Sequence, residues 1–200
     1  MKAIAITQRV SVIAAYGERR DCLDQSWTKF LTACGLLAVP IPNVIEVALN
    51  LCEKFAIAGL VLTGGNDLAE LGGDAPERDT VENALLDLAE KRRLPVLGVC
   101  RGMQVIQRRF AIPLGRVEDH VANNQIIKIN GKPKQVNSYH HFAARESRAP
   151  IDVWAVADDG VVKAIRHSSQ PVTGIMWHPE RNTPFSQDDI TLFREVFRAE

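Results

Sequence analysis

Three short runs of this chain, AIAIT (3–7), AGLVLTGG (58–65) and PVLGVC (95–100), are apolar almost without interruption. A strand with one wet face alternates polar and apolar residues, so unbroken apolar strands call for cover on both faces. Segments of helical period lie between them. Leu23, Trp27, Phe30, Leu31 and Cys34 share one side of 22–34, and 44–55 reads as a second helix after the extended LLAVPIP (36–42). The clearest helix spans 79–93, where Val81, Ala84, Leu85, Leu88 and Ala89 follow the i, i+3, i+4, i+7, i+8 rule. Asp79 and Glu82 have the spacing of a capping pair at its start. This alternation predicts an α/β chain in three layers, a mainly parallel open sheet with helices on both faces.

The second half changes character. Residues 126–129, 134–137, 152–157, 161–166 and 172–176 read as strands separated by short turns such as Asn130-Gly131, and are expected as antiparallel additions. A last helix is expected from Ser186, capped with Asp189 and burying Ile190, Phe193 and Phe197. No linker-like stretch divides the chain, and 46% hydrophobic residues suffice for one core, so a single domain over 1–200 is expected.

Charge is balanced at 24 basic and 24 acidic residues, which argues against bulk attraction to nucleic acid or an anionic membrane. The first residues are too short an apolar run for a signal peptide, and a cytoplasmic setting is the expectation. Cysteines 22, 34, 52 and 100 form no CxxC pair and no zinc spacing, so neither metal nor disulfide is expected. Cys34 and Cys52 sit at helical positions as small core hydrophobes, and Cys22 opens its helix.

Cys100 is different. The strand 95–99 turns at once towards a helix, and the cysteine between them is flanked as Gly98-x-Cys100-x-Gly102. So abrupt a turn projects its middle residue out of the sheet, and larger neighbours would collide, which is the logic of a nucleophile elbow. The helix beginning at Arg101 adds a positive dipole end that favours thiolate. A nucleophile needs a base and the base an orienting partner. GIMWHPE (174–180) supplies both at the end of another expected strand, because Pro179 keeps His178 extended and residues i and i+2 then share a side. Glu180 would therefore hold one imidazole nitrogen while the other faces the sulfur.

Together GVCRGMQ and HPE resemble the class I glutamine amidotransferase-like superfamily, with its flavodoxin-like sheet and Cys, His, Glu triad. LTGGND (62–67), 77–107, VNSYHH (136–141) and GIMWHPE look like the branch of γ-glutamyl amide hydrolases, peptidase family C26. RRFAIPLGRVEDH (108–120) departs from it where related hydrolases tend to carry Gly-Gly. The resemblance implies a Cys100, His178, Glu180 triad and no cofactor, with hydrolysis of a γ-glutamyl amide through a thioester. Backbone N–H groups of Arg101 and Gly65 would form the oxyanion hole beside Gly64. Gln104 and the backbone around Ser138, Tyr139 and His140 would hold the glutamyl group, with His140 and His141 equally readable as loop residues.

Gln8 and Arg9 follow the first strand at its carboxyl edge, with Arg19 and Arg20 expected in the loop after it; these guanidiniums read either as a site for an anionic leaving group or as solvated surface arginines. The opening ITQRV…YGERRDCLDQSW resembles small hydrolases that release cytidine diphosphoramidate from its γ-glutamyl conjugate in capsule or polysaccharide pathways. A nucleotide-containing small molecule is then the expected partner. Three alternatives stand beside it: a γ-glutamyl polyamine or GABA-type hydrolase, a non-catalytic binding domain, and a glutaminase that supplies ammonia within an amidotransferase. The sequence assigns no oligomeric state.

Overall fold

The computed structural model describes residues 1–199. Its first strand, β1 (Lys2–Thr7), leads into a hairpin of β2 (Arg9–Ile13) and β3 (Glu18–Cys22) that stands apart from the main sheet. Cys22 therefore ends a hairpin strand and opens no helix, and Arg19 and Arg20 lie on that strand instead of a loop. Helix α1 (Gln25–Ala33) starts two residues later than Leu23, because the Asp24 carboxylate accepts the Ser26 N–H at 2.9 Å and caps it there. Strand β4 (Leu36–Ile41), helix α2 (Ile45–Lys54) and strand β5 (Gly59–Leu62) follow. Helix α3 (Pro76–Arg92) begins with proline at its first turn, three residues before the expected Asp79. Asp79 and Glu82 lie inside that helix and do not cap it; Glu82 is fully buried against two arginines.

Strand β6 (Val96–Val99) then runs straight into helix α4 (Arg101–Arg109). The remaining strands are β7 (Gly115–Arg116), β8 (Val121–Ile129), β9 (Lys132–Tyr139), β10 (Phe142–Ala143), β11 (Ile151–Ala157), β12 (Val162–His167) and β13 (Val172–Ile175), before helix α5 (Gln187–Phe197). Ser186 precedes α5 without a side-chain capping bond, and Asp189 is turned inward to accept the Trp177 indole N–H at 3.1 Å.

Nine strands form one sheet in the order β4-β1-β5-β6-β13-β12-β11-β8-β9. The first five are mutually parallel and the last four antiparallel additions, so β13 belongs to the parallel half, where residues 172–176 were expected as an antiparallel addition. The reason is a crossover: β13 returns to the middle and pairs with β6, placing Gly174 beside Gly98 and Ile175 beside Val99. Each face of the sheet has its own apolar core. Trp27, Phe30 and Leu31 of α1 pack with Phe193 and Phe197 of α5 on one side. Ala48, Val81, Leu85, Met103 and Ile106 of α2, α3 and α4 pack on the other. At roughly 1.5–3 kcal/mol for each large apolar side chain buried, these two layers supply the main folding drive. No helix among the described residues is long and apolar enough to cross a membrane.

Candidate active site

The carboxyl ends of β5, β6 and β13 lie side by side, and that adjacency builds the site. Cys100 follows β6 directly and takes φ 53°, ψ −106°, a backbone conformation outside the ordinary allowed regions. Its N–H is held by the Ile175 carbonyl of β13 at 2.7 Å. The flanking glycines are there because α4 descends onto bare backbone. A Cβ on Gly102 would lie 2.1 Å from the Leu62 oxygen, and one on Gly98 would lie 2.5 Å from the Gly102 backbone. The elbow read from Gly98-x-Cys100-x-Gly102 is thus a packing requirement on both sides of the sulfur.

His178 lies three residues beyond the end of β13, the strand neighbouring β6. Its backbone is clasped at both ends by Asn137, whose amide accepts the His178 N–H at 2.7 Å and donates to the His178 carbonyl at 2.8 Å. His178 Nδ1 is 2.8 Å from Glu180 Oε1, and the pair is almost wholly buried. The link runs through a 3-10 turn over Pro179–Arg181 instead of the extended chain expected, with only His178 itself extended. Burial alone would lower the imidazole pKa. The adjacent Cys100 sulfur and the Glu180 carboxylate overcome that and push it up to about 9. The imidazole therefore holds a proton more readily than usual, with a carboxylate at Nδ1 and the sulfur close by.

Gly64 makes this approach feasible, since a Cβ there would fall 2.6 Å from His178 Cε1 and 3.4 Å from Cys100 Cβ. Gly65 takes φ +83° and lies against the Arg9 side chain. Arg9, Gly64, Gly65, His178, Glu180 and Arg181 line one cleft over the imidazole. Arg181 also spreads over the Tyr139 ring, 4.7 Å from its centroid. Arg19 does not join them. Its guanidinium donates to Glu77 Oε1 and to the Asp74 carbonyl, both at 2.7 Å, because the hairpin twists its side chain towards the start of α3.

On the opposite side, the Tyr139 carbonyl is 3.8 Å from the Cys100 sulfur and the Tyr139 ring meets His178 edge-on. Gln104 is buried one helical turn past the cysteine, its amide donating to the Phe142 carbonyl at 2.8 Å. Ser138 Oγ donates to the His120 carbonyl at 2.8 Å, and His140 Nδ1 meets the Phe142 carbonyl at 3.1 Å. His140 is therefore buried and engaged, whereas His141 is exposed.

Sequence reading missed three groups here. Lys163 of β12 is buried, its Nζ 3.0 Å from Ser138 Oγ and 2.7 Å from His140 Nε2. Burial pushes its ammonium down to about 7. Burial, with the Lys163 charge adding to it, likewise pushes His140 down to about 2, so that imidazole is neutral. His120, which has no motif partner, stacks on His140 at 5.0 Å between ring centroids and reaches Asp159 and Gln125. No sequence spacing marks Lys163 or His120; only strand pairing brings them in. Asn137, inside VNSYHH, was legible as a motif position but not as the clasp on His178. Among the described residues no cluster has the makings of a metal site, and all four cysteines are free.

Residues 31–199 match the model of the family described as glutamine amidotransferase class-I. The chain belongs to that family. It is 30% identical over 198 residues to a γ-glutamyl-CDP-amidate hydrolase of Campylobacter jejuni, covering 97% of this chain and 96% of that protein. It is also 35% identical over 149 residues to anthranilate synthase component 2 of Thermococcus kodakarensis, covering 70% and 73% respectively. In fold it is similar to a solved protein of Thermoplasma acidophilum described as a putative GMP synthase subunit, with a TM-score of 0.74 and 17% identity over 100% of this chain and 94% of the other.

Proposed function

We propose that this protein hydrolyses a γ-glutamyl amide through a γ-glutamyl thioester on Cys100. One observation carries the reading: the strained Cys100 elbow and the His178 ring, held at Nδ1 by Glu180 at 2.8 Å, converge on Gly64, where a Cβ would fall 3.4 Å from Cys100 Cβ and 2.6 Å from His178 Cε1. In such an arrangement the imidazole draws off the thiol proton, which activates a cysteine nucleophile.

The Cys100 thiolate adds to the side-chain carbonyl carbon and the electron pair moves onto oxygen. The N–H groups of Arg101 and Gly65 receive that oxyanion, each worth roughly 3 kcal/mol in the transition state. As the C–N bond breaks, His178 gives its Nε2 proton to the departing amine nitrogen. Water then attacks the thioester while His178 takes its proton, the C–S bond breaks, and glutamate leaves with the thiolate restored. Glu180 keeps the imidazole in the correct tautomer throughout. Gln104 and the 138–140 backbone bound the glutamyl side of the sulfur, and their buried position suits a small, polar acyl group.

The cleft beside His178 carries two guanidiniums together with the Asp24 and Glu180 carboxylates. Arg9 and Arg181 line the cleft over His178, and guanidinium forks suit phosphate oxygens. This supports a phosphate-bearing amine, and with the Campylobacter similarity a γ-glutamyl nucleotide amidate of the kind used in polysaccharide phosphoramidate synthesis. The similarity to anthranilate synthase component 2 favours a second reading, a glutaminase that passes ammonia to a partner. Mass-spectrometric turnover of γ-glutamyl amides separates them. The first reading expects faster release from the nucleotide amidate than from glutamine, an acyl adduct on Cys100, and no turnover in Cys100→Ala. Hydrolysis surviving in Cys100→Ala overturns the mechanism; equal or slower release from the nucleotide conjugate overturns the substrate.

A further inference from the structure

A buried ionic cluster on α3 ties together the two backbone segments that flank the cysteine. Arg78 is wholly inaccessible to solvent, and its guanidinium divides its donors between side-chain oxygens of Glu82, Asn66 and Thr63 and three successive main-chain carbonyls. It reaches the Thr63 carbonyl at 2.8 Å, the Gly64 carbonyl at 3.2 Å and also the Gly65 carbonyl. A trans peptide holds C=O and N–H antiparallel. With the Gly64 carbonyl drawn to Arg78, the Gly65 N–H in the same peptide plane points the opposite way. Gly64 itself borders Cys100 and His178.

Arg78 Nε donates to Glu82 Oε1 at 3.0 Å, one helical turn along α3. The other Glu82 oxygen accepts from Arg101, whose guanidinium also binds Asp79. Arg101 is the first residue of α4, so its side chain is anchored away from the cleft while its N–H stays among the unpaired donors at the helix start. The two arginines and two carboxylates balance in charge. Their burial costs much solvation, and a simple apolar contact would serve the packing as well. What the ions add is direction. Planar guanidiniums fix the rotation of the peptides they hold.

We infer that Glu82 and Arg78 are positioning residues for the oxyanion hole: through one buried carboxylate they lock the Gly65 and Arg101 donors into a common frame around the Cys100 sulfur. The inference rests on the proposed function for the identity of those two donors. It adds that the donors are set from α3, by groups that touch no substrate.

The test uses two reagents on Cys100 of the intact chain. Acylation by p-nitrophenyl acetate passes through an oxyanion, whereas alkylation by iodoacetamide displaces iodide without one. In Arg78→Lys an ammonium cannot hold three carbonyls at fixed angles, and in Glu82→Gln the carboxylate shared by both arginines is lost. Each variant is expected to acylate about 10²-fold more slowly, the loss typical of one oxyanion donor. Alkylation is expected to stay within about threefold of wild type, on the same footing of an undisturbed thiolate. Circular dichroism restricts the comparison to folded protein, and Arg78→Lys, which keeps both charges, serves if Glu82→Gln does not fold. Parallel loss of both rates, or unchanged acylation, overturns the positioning role. Failure of the parent reading looks different: wild type and Cys100→Ala would then acylate alike.

Discussion

Gly64→Ala is the most demanding perturbation because it adds one methyl group where the sulfur, imidazole and glycine loop converge. The new Cβ would fall 2.6 Å from His178 Cε1, about 0.8 Å inside the 3.4 Å at which ordinary contact begins. Gly64 does not carry the positive φ of its neighbour Gly65, so the effect is steric and not a matter of backbone conformation. His178 has little room to retreat. Asn137 clasps its backbone, Glu180 holds Nδ1 at 2.8 Å, and the ring packs edge-on against Tyr139. The strain must therefore emerge as a shift of the imidazole relative to Cys100. A misplacement near 1 Å costs about 10²-fold in rate, and overpacking a tight site costs about 1–3 kcal/mol of stability. We expect kcat for γ-glutamyl amide hydrolysis to fall about 10²-fold. The melting temperature should drop by only about 2–4 °C for each kcal/mol lost. Gly115→Ala is the control, since a Cβ there has nothing within 4 Å. A folded Gly64→Ala protein with wild-type kcat would refute the geometry.

Glu180→Gln keeps the hydrogen-bond acceptor but removes a charge that helps raise His178 to about 9, so the ring should lose its proton at lower pH. NMR titration of the His178 ring checks this, and an unmoved midpoint would count against it; kcat should fall by about 10²- to 10⁴-fold. The raised value also means that the imidazolium stabilises the fold fully below its ordinary 6.5 and that this contribution disappears as pH rises through about 9. Lys163 has the opposite sign: lowered from 10.5 to about 7, it makes folding more favourable as pH climbs through that window. Chemical denaturation of Lys163→Met should lose this rise, at most about 1.4 kcal/mol per pH unit, and an unchanged slope would contradict the lowering of Lys163 by burial. Arg9→Ala and Arg181→Ala should each raise KM for a γ-glutamyl nucleotide amidate by about 10-fold or more while leaving that for glutamine near wild type. Equal effects on both substrates would remove the arginines from leaving-group recognition.

Much of this architecture was legible in one dimension. The unbroken apolar runs 3–7, 58–62 and 95–99 became β1, β5 and β6, since full burial on both faces leaves no other use for such strands. Cys100 could be singled out because its turn restricts its neighbours to glycine, and that restriction is written in adjacent residues. His178 and Glu180 were readable as a pair for the same local reason, although the 3-10 turn that joins them was not. The departure at 108–120 also has a local outcome. Ala111 takes φ 54°, and the Ile112 N–H closes on the Gln107 carbonyl at 2.9 Å to end α4 without a glycine.

What the sequence by itself determined, then, is whatever short-range sterics and periodicity govern: strand and helix identity, the strained elbow, and the imidazole–carboxylate pair. Tertiary structure alone decided that β13 crosses back beside β6, because strand order depends on chain-distant pairing energies that leave no local periodicity. That crossover is what carries the imidazole to the sulfur. It also decided the electrostatics. Glu82 looked like a helix cap and is instead shared by Arg78 and Arg101, while Lys163 became a buried amine beneath Ser138 and His140 that gives up its proton more easily than an exposed lysine. Charge energies depend on distance and dielectric in three dimensions, so the same letters read as exposed surface until the fold removes the solvent around them.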